Sequence, residues 1–124
     1  MKIPEGQQAV MVYLIIKNAV EFIPFTEKVL NAKLTHKGTR DDGSIMHAQI
    51  MIGDSTIMFA EASENWQPMT AGIFVYVDSA DKAYHEALKL GAVSVMELTD
   101  QSYGRTCGVL DPFGNTWWLT TSPE

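Results

Sequence analysis

With 124 residues and 46% hydrophobic composition, the chain is long enough for one globular domain with its own core, which argues against a second independent domain. Nine Lys and Arg against fifteen Asp and Glu leave a net charge of −6, the wrong sign for gripping nucleic acid phosphates or an acidic membrane. Cys107 is the only cysteine, which excludes an intrachain disulfide or a CxxC zinc or redox pair and suggests a reducing cytoplasm.

The start, MKIPEGQQ, lacks the apolar region of a signal peptide, and the run Ala9 to Ile16 is far shorter than the ~20 residues of a membrane helix. The β-branched and aromatic content of QAVMVYLII predicts a strand. NAVEFIPFTEKVL reads as a helix, with Asn18 as its N-cap, Glu21 completing a capping-box-like pattern, and Asn31 where the chain leaves. Pro24, past the first turn, is expected to bend this helix or delay its start. KLTHKGTRDDGS carries turn signals; IMHAQIMI and STIMFAEA read as strands joined at Gly53 and Asp54.

After the loop SENWQPMT, AGIFVYVD is a strand. SADKAYHEALKLG is a helix with Ala80, Ala83, Tyr84, Ala87 and Leu88 on one face and Gly91 as its stop. AVSVMEL, RTCGVLD and TWWLTT are strands, with the turn DPFGN before the last. The order strand, helix, three strands thus occurs twice. Asn18 and Asp78 stand 60 residues apart, as do Ala32 and Ala92, and Gly53 and Gly114 stand 61 apart. One such half cannot cover its own apolar sheet face, so two halves must pack or swap.

The paired order, the segment Tyr76 to Ala92, and YGRTCGVLDPFGNTWWLTT together resemble the vicinal oxygen chelate superfamily. That superfamily contains glyoxalase I, bleomycin-resistance proteins and extradiol dioxygenases, and the chain is most similar to its PhnB-like branch. The resemblance implies an α+β fold in which two βαβββ modules, about residues 8–63 and 71–122 of one glyoxalase-like domain, curl a mixed sheet into a ligand-holding cup. It also implies a homodimer, and leaves open whether modules pack within a chain or swap between chains.

Metal enzymes of the superfamily need an imidazole, carboxylate or amide oxygen at certain strand positions. By the resemblance those positions fall near Met11, at Ile57 or Met58, at Gly72 and at Trp118, and none is a competent ligand beyond a weak Met thioether. The expectation is therefore no metal and no cofactor. The alternative is a divalent ion on atypical ligands such as His47 and Glu61, which could meet across the hairpin as ligands or as an acid–base pair; otherwise His47 is a surface histidine. His36, in a polar turn region, and His85, off its helix's apolar face, read as solvated.

Arg105 follows the flexible Tyr103-Gly104 pair at the expected mouth of the cup. It either holds a ligand carboxylate or phosphate, or pairs structurally with Asp111 or loop carbonyls. Cys107 points to the same side, where a guanidinium would lower its pKa and make it, like His47, a candidate reactive group of a metal-free enzyme, unless it is simply a small buried hydrophobe. Trp117 and Trp118 must point to opposite sheet faces, and Trp118 is expected in the cup with Phe59, Phe74, Tyr76, Trp66 and Tyr103.

Three functions follow. The favoured one is a metal-free binding protein that sequesters an aromatic or hydrophobic small molecule, as bleomycin-resistance proteins do, the acidic charge helping if that ligand is cationic. The second is a metal-dependent lyase, isomerase or dioxygenase. The third is a dimerisation module without a ligand site. No membrane or nucleic acid partner is expected.

Overall fold

The computed structural model describes residues 1–123. They form an α+β fold of two compact units, Met1–Thr70 and a second beginning at Ala71. The first holds β1 (Val12–Ile16), α1 (Ala19–Leu30), β2 (Lys33–Thr39), β3 (Ile45–Ile52) and β4 (Ser55–Glu61). The second holds β5 (Gly72–Tyr76), α2 (Ala80–Lys89), β6 (Val93–Gln101), β7 (Gly104–Leu110) and β8 (Thr116–Thr121).

Each unit is a four-stranded mixed sheet of one topology: β1-β4-β3-β2 in the first and β5-β8-β7-β6 in the second. The opening strand of each runs parallel to the closing one, a pairing that needs the helical crossover between them, and the remaining pairs are antiparallel. The repeat of 60 to 61 residues read from the sequence is therefore a repeat of topology. No helix among the described residues is long and apolar enough to cross a membrane.

In α1, Phe22, Phe25, Thr26, Val29 and Leu30 fall at helical spacing and are buried. Opposite them lie Leu14, Ile16, Ala48, Ile50, Ile57 and Phe59, all buried, with Phe22 and Phe59 meeting edge to face at 4.9 Å. Pro24 does not delay this helix, which starts at Ala19 and runs through it to Leu30. Its missing N–H frees only the carbonyl of Val20, an exposed residue whose carbonyl water can serve. Asn18 departs from the expected cap: it is left-handed (φ 62°) and its side chain makes no capping bond.

The segment read as turn signals forms β2 over its first seven residues, and the turn is confined to residues 40–44. β2 is an edge strand, almost wholly exposed, so no alternation of buried and exposed residues marks it in the sequence. In the second unit, α2 buries Ala80, Ala83, Tyr84 and Ala87, and Ser79 caps it by accepting a hydrogen bond from the Lys82 amide. Gly91 takes φ 102° just past the helix, the stop that its position predicts.

The turn into β8 is built on Asp111, which is buried. One carboxylate oxygen accepts from the amides of Phe113 and Asn115, the other from the Asn115 side chain and from Trp117 Nε1 at 2.8 Å. The Asn115 side chain in turn accepts from the Ala71 amide, and the Thr116 amide donates to the Ala71 carbonyl. One buried carboxylate thus fixes the turn, the largest core side chain and, through Asn115, the start of β5. Asp111→Ala leaves those buried donors unpaired. The expected loss in chemical denaturation is about 3 kcal/mol or more, with Asp111→Asn losing less.

Candidate ligand-binding site

Strand alternation sorts the candidate residues by sheet face. Trp117, Leu119, Cys107 and Val109 share the face covered by α2, and Trp117 is 1% exposed. Trp118 lies on the other face, 37% exposed, in register with Phe74 and Gly108. Phe74, Tyr76 and Tyr103 are exposed beside one another, with ring centroids 5.3 Å apart for Phe74 and Tyr76 and 6.1 Å for Phe74 and Tyr103. The second unit therefore presents an aromatic face of four expected residues.

Two glycines make room for this face. A Cβ at Gly72 would stand 3.0 Å from the Trp118 ring, and one at Gly108 would stand 3.4 Å from its Nε1 and 2.9 Å from Val95. The indole thus occupies the space that a side chain at position 72 would need. Gly72 and Trp118 are also two of the positions at which the resemblance leads one to look for metal ligands. The donor set there does not fit a divalent cation: one residue has no side chain, and the other fills its place with an indole. Among the described residues, no group of three His, Cys, Asp or Glu could hold a metal ion.

Arg105 and Cys107 lie on the helix-covered face, and Arg105 has neither partner foreseen for it. Its Nε donates to Asp81 at 2.6 Å and its Nη1 to Asp100 at 3.1 Å, a partly exposed pairing that holds the Asp81 carboxyl below its ordinary value. Cys107 is fully buried, with its Sγ 3.7 Å from the Leu119 carbonyl. Burial pushes its thiol up to about 11, and the Arg105 guanidinium is the weakest of the influences on it. The expected lowering does not occur because desolvation outweighs a charge already committed to two carboxylates.

In the first unit, Phe59 belongs to the core beneath α1, so it cannot line a ligand site on the other face. His47 and Glu61 do not pair. They fall on opposite faces of the sheet, because Ala48 and Phe59 are register partners beneath α1 and His47 alternates away from them. The Glu61 carboxylate instead accepts from the Asn18 and Ala19 amides at 3.1 and 2.8 Å, capping the positive end of α1. In the second unit Thr121 stands in the equivalent place, its hydroxyl accepting from the Ala80 amide. His47 bonds Tyr13 and Gln49, with the His36 ring 5.5 Å away; burial, and secondarily His36, hold its pKa below the ordinary imidazole value. His36 lies in β2 rather than in a turn, and His85 is exposed.

The first unit also contains a pocket of about 780 Å³. Residues 62–70 form one wall: Ser63 and Trp66 exchange backbone hydrogen bonds, and Met69 pairs antiparallel with Ile15 on the edge of β1. Trp66, expected in a cup with Trp118, instead lines this pocket with Glu61, Tyr13, Ile15, Arg40, Met46 and Met69, none of which has a pocket-lining role in the sequence. Tyr13 and Ile15 were legible as alternate positions of one strand; Arg40 and Met46 were not, since in sequence they are one more turn charge and one more strand apolar residue.

Two outcomes follow. Glu61→Ala, which removes a helix cap, is expected to cost about 1–2 kcal/mol in thermal or denaturant unfolding, with Glu61→Gln closer to the natural protein. Cys107 is expected to resist alkylation by iodoacetamide at pH 8 in the folded chain and to react fully once unfolded; rapid reaction of the folded chain would contradict its burial.

Residues 8–119 match the family model described as the Glyoxalase/Bleomycin resistance protein/Dioxygenase superfamily. An uncharacterized protein of Mycobacterium bovis is 29% identical over 125 residues, spanning 91% of this chain and 82% of the relative. Among solved structures, a PhnB protein from Bacillus cereus superposes with a TM-score of 0.73 at 16% identity, covering 93% of this chain and 100% of that one. An antibiotic binding protein, TnmS3, from Streptomyces sp. CB03234 gives a TM-score of 0.70 at 16% identity, covering 98% of each chain. The repeated βαβββ topology, shared with these structures, and the family match across residues 8–119 make the chain a member of the glyoxalase/bleomycin resistance protein/dioxygenase superfamily.

Proposed function

We propose that this protein is a metal-free binding protein that sequesters an aromatic or hydrophobic small molecule. The observation that carries this reading is the first unit's pocket of about 780 Å³, a size within the ~300–1,000 Å³ of ligand sites. Its walls include Trp66, Ile15, Met46 and Met69, the apolar and polarizable surface that holds a flat organic ligand. The aromatic face of Phe74, Tyr76, Tyr103 and Trp118 is a second candidate stacking surface of the same chemistry. The antibiotic-binding activity of TnmS3 supports the reading by analogy of fold.

Metal-dependent lyase, isomerase or dioxygenase chemistry is the less supported reading, because Gly72 and Trp118 offer no donor and the Glu61 carboxylate is engaged at the helix terminus. The protein is further proposed to act as a homodimer in the cytoplasm, in keeping with its single unpaired cysteine.

Thermal-shift screening against aromatic compounds tests the reading. A ligand at a hundred times its Kd adds about 2.7 kcal/mol of stability, a rise of roughly 10 °C for a chain of this size. Such a ligand should lose most of its effect in Trp66→Ala if it sits in the first unit's pocket, or in Trp118→Ala if it sits on the second unit's face. A broad screen without stabilisation, or stabilisation indifferent to both variants, would overturn the proposal.

A further inference from the structure

We infer that the first unit's pocket selects ligands carrying an anionic head on their apolar body, and that Arg40 is the residue that selects them. This inference rests on the binding reading above and adds the ligand's charge class to it.

Arg40 immediately follows β2 and lines the pocket, half-buried. Two hydrogen bonds fix its guanidinium: Nη1 donates to the Ser44 hydroxyl and Nη2 to the Glu61 backbone carbonyl, each at 3.1 Å. Both acceptors are neutral. Among the described residues Arg40 makes no ion pair, in contrast to Arg105 with its two carboxylates. The nearby carboxylates are engaged elsewhere. Glu61 caps α1, and Asp42 accepts from the Ser44 amide and hydroxyl at 2.9 and 2.7 Å. A guanidinium has five N–H donors, so most of this fork remains free and already oriented, its charge felt by Asp42, whose carboxyl it helps to hold below its ordinary value, but bonded to no carboxylate. A carboxylate, sulfonate, phosphonate or ionised phenol would match it.

Tyr13, on the same pocket, supplies a second donor. Gln7 Nε2 donates to Gln49 Oε1 at 3.2 Å, which leaves Gln49 Nε2 to donate to His47 Nε2 at 3.0 Å. Neutral His47 then carries its proton on Nδ1 and donates it to the Tyr13 hydroxyl, also at 3.0 Å. Having accepted that bond, the hydroxyl has its own proton to give, and the pocket is where an acceptor can meet it. Two donors and no uncommitted carboxylate, set among Ile15, Met46, Trp66 and Met69, describe an amphipathic anion. The net charge of −6 by itself favours cations; at this spot the free N–H donors of Arg40 favour an anion.

The test uses the full chain and two dyes that share one ring system. 8-Anilinonaphthalene-1-sulfonate carries a sulfonate and N-phenyl-1-naphthylamine does not. The natural protein should bind the sulfonate at one Trp66-dependent site per chain at least roughly ten-fold tighter, the scale of a hydrogen bond to a charged group. Arg40→Gln should lower sulfonate affinity by about ten-fold or more while leaving the neutral dye within about two-fold; Arg40→Lys should fall between, and Tyr13→Phe should show a smaller loss. Circular dichroism checks that the variants fold. Should Arg40→Gln not fold, the dye preference of the natural protein decides the matter. Equal Trp66-dependent affinity for both dyes, or a sulfonate affinity indifferent to Arg40→Gln, overturns anion selection and leaves the binding reading standing. If neither dye binds in a Trp66-dependent way, the inference falls, and the screen above then decides separately whether the chain binds small molecules at all.

Discussion

The second unit depends on the Asp111 carboxylate. A buried charge is costly unless its lone pairs are met, and here four donors meet it, two from the turn backbone and two from side chains. Because one of those donors is the indole of Trp117, the turn that starts β8 also fixes the largest buried side chain of the sheet. Once Trp117 is committed to the α2 side, the alternation of the strand sends Trp118 to the other. The aromatic face is thus a consequence of how a five-residue turn satisfies its hydrogen bonds.

The first unit solves the matching problem with different chemistry. Both units end on a strand whose last residue reaches the first amides of the unit's helix. Glu61 does this with a carboxylate and Thr121 with a hydroxyl. The role is a property of the topology, since a closing strand parallel to the opening strand finishes beside the point where the crossover helix begins. This engagement aims the Glu61 carboxylate at the start of α1, while Arg40 bonds the Glu61 backbone carbonyl rather than its side chain.

Much of this architecture was legible from local chemistry. TWWLTT is β8 residue for residue, Gly53 and Gly114 take the positive φ that their turns require, and the buried face of α2 follows its alanine spacing. What was not legible depends on partners distant in sequence. Glu61 lies about forty residues from the amides it caps, and Arg105 is 24 residues from Asp81. Exposed β2 has no burial pattern to announce it, and Asn18 looks like a cap while a residue from another strand does the capping. His47 and Glu61 are neighbours in the hairpin, yet a one-residue difference in alternation places them on opposite faces.

The contact between Gly72 and Trp118 constrains what this chain can become. A metal ligand pair at these positions, an imidazole and a carboxylate, would need the space that the two residues present divide between no side chain and an indole. Introducing the imidazole alone drives it into the indole. Introducing the carboxylate alone removes the aromatic surface and supplies one ligand where several are needed. Neither single change assembles a set of ligands, and the two positions constrain each other: the indole keeps its place only while position 72 carries no side chain.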